Sequence, residues 1–381
     1  MSLGVVVSGM VAGVPGQGGA TWAVLQYLLG LRRLGHRVTL VEPVDHGPGD
    51  GALADSTMAA YCEKVMTAVG LDDDWALLDS RSGASAGLDR SRLQQRADEA
   101  DVLLNVSGML ADEALLEAVP VRAYLDLDPA FNQLWHDVEG IDMRFDGHTH
   151  FVTVGLSLGT DRCSVPTCGR RWITTLPPVV LDQWPVAEEE RFAALTTVGN
   201  FRGYGSISHG SVLYGQKAHS FRPLADLPVR TGERFLLALA IHADEERDLA
   251  LLRANRWELV DPAVVAGMPD DYRSFVQASH AEFGLAKSGY VVSRSGWFSD
   301  RSACYLASGR PVVAQDTGFP AHVPTGEGLL SFASAGDVEA AVESLHADYE
   351  GHRRAARALA EEHLDSDRVL GRLLDELSRA A

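Results

Sequence analysis

Residues 284–330 read GLAKSGYVVSRSGWFSDRSACYLASGRPVVAQDTGFPAHVPTGEGLL, and this stretch decides the fold. Its pattern is that of one βαβ unit and its continuation. Tyr290-Val291-Val292 is an apolar, β-rich run expected to be a strand. Ser293–Trp297 is a small-residue loop. The spacing predicts a helix over Phe298–Ser308, with Phe298, Ala303, Leu306 and Ala307 as its apolar face and Gly309 as its stop. Pro311-Val312-Val313-Ala314 is a second buried strand, and Asp316-Thr317-Gly318 is the loop at its carboxyl end. Ligands of parallel α/β sheets bind beyond the carboxyl ends of the strands, so the two loops are expected to be adjacent walls of one site. The residues that open the helix, Ser295, Gly296, Trp297, Phe298 and Ser299, offer backbone N–H groups and a positive dipole end, which suits a phosphate.

Working outward, the chain begins with a second unit of the same kind. Leu3–Ser8 is a buried-strand pattern, Val11–Gly19 a turn-rich loop, Thr21–Leu34 a helix stopped by Gly35, and Arg37–Val41 a strand. The glycines at 13, 16, 18 and 19 do not spell the dinucleotide fingerprint. Gly18 and Gly19 are read either as a ligand-facing loop or as a bare tight turn. Asp45–Ala54 is loop. Strands are expected at Asp101–Val106 and Val121–Asp126, and the second ends in Asp126 and Asp128. Carboxylates at a strand's carboxyl end suit acid–base work or sugar hydroxyls, or they cap the next helix. His148 and His150 precede a strand at Phe151–Gly155. With no third metal ligand in view they are read as loop histidines, with His150 kept as a candidate base; no metal site is expected.

Pro177–Glu190 reads as an interdomain linker. Beyond it, Ala194–Arg202 opens the second half, and the Gly/Ser/Tyr-rich segment Gly203–Gly215 is read as a ligand-gripping loop or, alternatively, a hairpin. Further strands are expected at Phe235–Ala240 and Trp257–Pro262, and helices at Ala243–Ala254, Tyr272–Ser279, Asp337–His346, Gly351–Glu362 and Asp367–Leu377. The fold class is therefore α/β, with two Rossmann-like domains at 1–180 and 191–360 and a terminal helix at 361–381.

At 381 residues the chain is long enough for two full cores, and 46% apolar with 22% charged residues is ordinary for a globular protein. The formal net charge of −19 argues against nucleic acid as a partner. An anion site must then be a local basic cleft. Only Lys64, Lys217 and Lys287 are lysines, which leaves thirty arginines among the 33 basic residues. A lysine so rarely used marks a place that wants a compact ammonium. Cys62, Cys163, Cys168 and Cys304 form no metal or disulfide spacing, and a reduced, cytoplasmic chain without a leader or membrane span is expected.

The run Ala307-Ser-Gly-Arg-Pro-Val-Val313, its polar turn and Gly326-Glu-Gly-Leu-Leu330 resemble the donor site of GT-B glycosyltransferases, nearest to the family 4-like bacterial branch. The opening is similar too, in Pro15, Gly18-Gly19, Leu34-Gly35-His36 and Val38. The resemblance implies transfer of a sugar from a nucleoside diphosphate sugar, the cosubstrate, to a small-molecule or glycan acceptor held by the first domain, with no other cofactor and with the last helix crossing back. It implies that Gly18 and Gly19 face the donor diphosphate. Val198-Gly199 matches the family's strand end, where Asn200 replaces its arginine. Arg202 and Lys217 are the nearest cations for that diphosphate, and Lys287 is a weaker candidate. The family's paired glutamates fall on Gly296 and Cys304, which leaves Asp300 as the carboxylate for sugar hydroxyls. With no histidine in Val11–Gly19, the resemblance leans towards retention of anomeric configuration. Loss of the glutamate pair also motivates a catalytically silent binding partner, and a sugar-nucleotide epimerase is a third reading.

Overall fold

The structure, a computed structural model, describes residues 2–47 and 49–379; Pro48 in the 45–54 loop and the last two residues of the terminal segment lie outside it. The first sheet is built from β1 (Gly4–Ser8), β2 (Arg37–Val44), β3 (Trp75–Asp79), β4 (Ser85–Gly87), β5 (Val102–Val106), β6 (Val121–Asp126), β7 (His150–Thr153) and β8 (Trp172–Thr174). Its order is β4-β3-β2-β1-β5-β6-β7-β8, parallel except where β4 runs against β3. After the linker, β9 (Phe192–Asn200) is followed by a separate hairpin, β10 (Ile207–His209) and β11 (Val212–Tyr214), and then by β12 (Phe235–Ala240), β13 (Glu258–Val260), β14 (Ser279–Gly284), β15 (Val312–Gln315) and β16 (Leu329–Phe332). The second sheet is all parallel, in the order β13-β12-β9-β14-β15-β16.

Both sheets reverse their strand order beside their first strand, at β1/β5 and at β9/β14, so each has the crevice where doubly wound sheets bind ligands. Buried runs such as Val5-Val6-Val7 and Phe235–Leu239 account for the strands, since helices cover both faces and no alternation is needed. The terminal helix Ser366–Arg379 lies on the first helix, Gly18–Arg33, where Leu370 and Ser366 press against Gly30 and Arg33 pairs with Asp367. The expected crossing back is therefore present.

One expected strand is a helix. Tyr290-Val291-Val292 sits in a short helix, Ser288–Ser293, and the strand of that unit is Ser279–Gly284 instead. That strand carries His280 and Glu282, polar residues that hid it, because Glu282 has a buried arginine partner which no local pattern reveals. β-Propensity measures fit to a pleated, packed surface, and Val292 is left 46% exposed here. The helix expected after it spans Asp300–Ala307, capped by Ser299, whose Oγ accepts the Arg301 N–H at 3.2 Å.

Candidate functional site

A cleft of about 1060 Å³ separates the two sheets at their carboxyl ends. Pro15–Ala20 line one side; Val198–Asn200, Leu239–Ala243 and Leu259–Ala263 line the other, with Asp300 and Arg301 between them. The Pro15–Ala20 wall is the loop after β1 and the start of the first helix. Its preceding turn is held by Glu42 of β2, whose carboxylate accepts the N–H groups of Val11, Ala12 and Gly13 at 2.6–2.9 Å. Burial pushes the Glu42 carboxyl up, and those three N–H groups pull it back down.

Gly18 and Gly19 line this cleft, and they also let the domains touch. A Cβ on Gly18 would lie 2.4 Å from the Met268 carbonyl oxygen, and one on Gly19 2.9 Å from the Tyr272 ring. The Gly18 N–H is spent on Ala266 O at 3.0 Å. The two glycines open the helix rather than a bare tight turn, and the contact they permit is interdomain docking at the edge of the cleft.

Behind the wall at Gly199 two buried cations meet: Arg301, which lines the cleft, and Lys217, which lies beneath the glycine. Lys217 follows the β10–β11 hairpin, is 8% exposed, and forms no ion pair among the described residues. Its ammonium approaches β9 where a Cβ on Gly199 would lie only 2.9 Å away, so the glycine makes room for it. Burial, then the nearby Arg301 and Lys287 charges, hold the Lys217 pKa well below its usual value. Arg301 was missed in the sequence. Its Nε donates to Glu282 at 2.5 Å and its Nη1 to Val198 O at 3.0 Å, while Nη2 has no partner among the described residues. A guanidinium thus reaches the end of β9 from the helix Asp300–Ala307, beside the position where Asn200 stands in place of arginine. The signal was its place two residues after a helix cap, beside the cleft-lining Asp300. Arg202, expected to neutralise a diphosphate, is committed elsewhere: it lines the cleft but pairs with Glu245 and lies 3.8 Å from Asp248.

Asp300 is half-buried rather than on an exposed helix start, and no side chain among the described residues hydrogen-bonds its carboxylate. Burial raises its pKa, opposed by the Arg301 charge and by backbone N–H groups.

Three expected site residues are placed otherwise. Asp128 and Lys287 come from different domains and form an ion pair at 2.7 Å. The Asp128 carboxylate also accepts the hydroxyls of Tyr204 and Tyr290, and the Lys287 ammonium sits over the Phe131, Tyr204 and Tyr290 rings at 5.0, 4.3 and 5.2 Å. Neither is a free acid, base or phosphate ligand in this arrangement. The neighbouring Asp126 is wholly buried and accepts from Asn132, Gln133, Thr153 and the Asp128 N–H at 2.7–3.0 Å, a structural anchor. His150 begins β7, at the amino end of its strand, with Nδ1 2.8 Å from Thr149 Oγ1 and a pKa lowered by burial. In a parallel sheet that is the end away from the cleft, so it is not placed to serve as the base.

The loops 293–297 and 316–318 do lie side by side, but their polar groups close on each other and on the first domain. Gly296 N–H donates to Thr317 O at 2.8 Å, and Thr317 Oγ1 donates to Trp297 O at 2.5 Å. Ser157 N–H donates to Ser295 O at 3.0 Å, and a Cβ on Gly296 would sit 2.7 Å from Ser157 N. Asp316 accepts the Gly318 N–H at 2.6 Å and lies 3.7 Å from Arg294. Ser295, Gly296, Asp316, Thr317 and Gly318 therefore form an interdomain seam, not a phosphate cradle. Trp297 stacks near Tyr290 and Phe298 packs on Phe319, with ring centroids 4.6 and 5.3 Å apart; Ser299 is the helix cap. The Gly203–Gly215 segment contains the hairpin of the alternative reading, and Tyr204 in it reaches across to Phe131 and Trp135 of the first domain.

Among the described residues no group of three or more His, Cys, Asp or Glu could hold a metal, the four cysteines are free thiols, and no helix is long and apolar enough to cross a membrane.

No protein-family model matches this sequence, and no curated protein matches it. Solved structures do. An alpha-glucosyltransferase in complex with UDP and a 13-mer DNA is similar over 98% of this chain and 99% of its own, with a TM-score of 0.62 and 13% identity. Anabaena HepE in complex with UDP and glucose is similar over 98% and 99%, with a TM-score of 0.58 and 12% identity. A glycosyltransferase from Rickettsia africae ESF-5 is similar over 100% and 99%, with a TM-score of 0.52 and 10% identity. Two Rossmann-like sheets facing one cleft, a last helix returning to the first domain and these end-to-end similarities together give the chain the GT-B fold of glycosyltransferases.

Proposed function

We propose that the chain is a glycosyltransferase that moves a sugar from a nucleoside diphosphate sugar to an acceptor. The observation that carries this reading is the buried pair Lys217 and Arg301 behind Gly199 of the cleft wall, with Arg301 lining the cleft and its Nη2 without a partner among the described residues, in a chain of net charge −19. The leaving group is a diphosphate, so the reaction needs positive charge held in a cleft that excludes bulk water. The cation cluster supplies it, and Gly19 and Ala20, in the first turn of the first helix with its positive dipole end, line the same space. The exit of β13, Leu259–Ala263, is the wall on which a nucleotide base would rest.

In this reading residues 191–360 hold the sugar nucleotide, residues 1–180 hold the acceptor and 361–381 tie the two together. Both uridine-diphosphate-bound neighbours support a nucleoside diphosphate as the common ligand. One of them was solved on DNA, but this chain's acidity opposes a polyanionic acceptor. The family 4-like affinity and retention of configuration stay part of the proposal, with Asp300 rather than paired glutamates as the cleft carboxylate. The test is thermal stabilisation by UDP, GDP, ADP and dTDP, followed by diphosphate release from the matching glucose nucleotide. Saturable stabilisation with slow release is expected; no effect from any of the four overturns the reading in favour of a silent binding partner.

A further inference from the structure

A second, smaller cavity of about 90 Å³ opens beside the donor cleft, and the two share Asp300. Most of its wall belongs to the first domain: Ala23, Gln26 and Tyr27 of the first helix, Leu127 after β6, Val154 after β7, and Pro177-Pro178. Trp297 and Phe298 close it from the second domain. The wall is chiefly apolar. Gln26 is spent, its Oε1 accepting the Val180 N–H at 2.7 Å and its Nε2 donating to Cys304 Sγ at 3.7 Å. Tyr27, by contrast, is 2% exposed and its hydroxyl has no partner among the described residues. A buried hydroxyl without a partner is costly, so its place on the wall of an apolar hollow, near the Asp300 carboxylate, points to a ligand that completes it.

Beyond β6 the two domains are packed together. There the Asp128–Lys287 pair joins the hydroxyls of Tyr204 and Tyr290, and Tyr204 packs on Phe131 and Trp135 at ring-centroid distances of 4.9 and 4.6 Å. The volume left beside Asp300 equals about three times the ~30 Å³ share of one water molecule.

Building on the proposed transfer, we propose that this pocket is the acceptor subsite, and that it takes a small hydroxyl compound with a compact apolar body rather than a glycan or nucleic-acid chain. The acceptor's apolar part lies against Leu127, Val154 and Trp297, and its hydroxyl is held between Tyr27 Oη and the Asp300 carboxylate at the junction with the donor. In the transfer the acceptor oxygen forms a bond to the anomeric carbon and the bond from that carbon to the diphosphate oxygen breaks. The diphosphate leaves with the electron pair, and the acceptor's proton passes to Asp300.

The experiment uses the full chain, the glucose nucleotide whose diphosphate binds, and four probes: phenol, n-butanol, maltotriose and a 13-mer duplex DNA. Diphosphate release is followed together with mass detection of a glucoside. Phenol or butanol is expected to raise release at least fivefold with glucoside formed, and the two polymers are expected to have no effect. Ala23→Leu, which fills the pocket, is expected to raise the KM for the small alcohol at least tenfold, and Tyr27→Phe several-fold; nucleoside diphosphate affinity measured on the same samples reports their folding. Stimulation by maltotriose or DNA alone overturns the proposal, as does failure of both alcohols in a protein that binds and turns over the donor. A weakened glucose nucleotide in Ala23→Leu with an unaltered alcohol KM assigns the pocket to the donor sugar instead and also overturns it. Absence of any nucleoside diphosphate binding is a different result, which removes the transferase reading itself.

Discussion

The cleft has two ends that begin from similar materials and finish differently. At each, a lysine and aromatic or glycine residues gather at the carboxyl ends of strands. At the β9 end, Lys217 forms no ion pair among the described residues: burial and the Arg301 and Lys287 charges outweigh the Glu282 and Asp300 carboxylates, and the cleft beside Gly199 stays open. At the β6 end, Lys287 meets Asp128 of the other domain and is ringed by Phe131, Tyr204 and Tyr290, so the same chemistry becomes a clasp. What separates a binding cation from a structural one here is whether the opposing domain brings a carboxylate. Removing a partner from a buried pair leaves a charge stranded, whereas removing an unanswered charge relieves one.

The comparison can be broken most forcefully at Arg301. Arg301→Ala strands the fully buried Glu282 carboxylate, and a loss of about 3–5 kcal/mol in chemical denaturation is expected. Glu282→Gln together with Arg301→Met should recover much of it; a single Arg301→Ala that unfolds like the parent would dismiss the buried pair as a stability element. Next comes the clasp: Asp128→Ala is expected to cost about 2 kcal/mol, since both partners keep some contact with solvent, while nucleoside diphosphate affinity stays within twofold. A large affinity loss there would mean the two ends of the cleft are not separate.

Lys217→Met should weaken nucleoside diphosphate binding about tenfold, roughly 1.4 kcal/mol, with no loss of stability. Its pH dependence has a definite sign. Burial holds the folded Lys217 value below 10.5, so the free protein loses this charge as pH rises through the depressed value. A bound diphosphate favours the charged form. Affinity should therefore fall with rising pH, starting below the usual lysine range, and that slope should vanish in Lys217→Met. Over the same window the unfolded chain holds the extra proton, so this group makes folding stability rise with pH. Titration calorimetry at several pH values separates the two trends. The smallest effect belongs to His150→Ala: at the amino end of β7, its loss should leave diphosphate release within twofold of the parent.

Much of the architecture was legible because strand, helix and stop signals are local. The Val5–Val7 and Phe235–Leu239 runs, Gly35 and Gly309 each carry their own meaning within a few residues, and the doubly wound order follows from βαβ units whose handedness and packing leave little choice. The terminal helix and the glycines at 18 and 19 were readable in the same way. The strand Ser279–Gly284 was not, since its Glu282 is tolerable in a buried sheet only because Arg301 arrives from a later helix.

Candidate site residues divided along the same line. Residue type and position at a strand end were visible in the sequence, and they singled out Lys217 and Asp300 as well as Asp128 and Lys287. Which of these charges face solvent and which face each other depends on contacts between residues far apart in the chain, such as the 159 positions that separate Asp128 from Lys287. Sequence sets the chemical identity and local conformation of each group. Only the docking of the two domains decides whether a charge is neutralised or left for a ligand, because desolvation and pairing are properties of the assembled cleft.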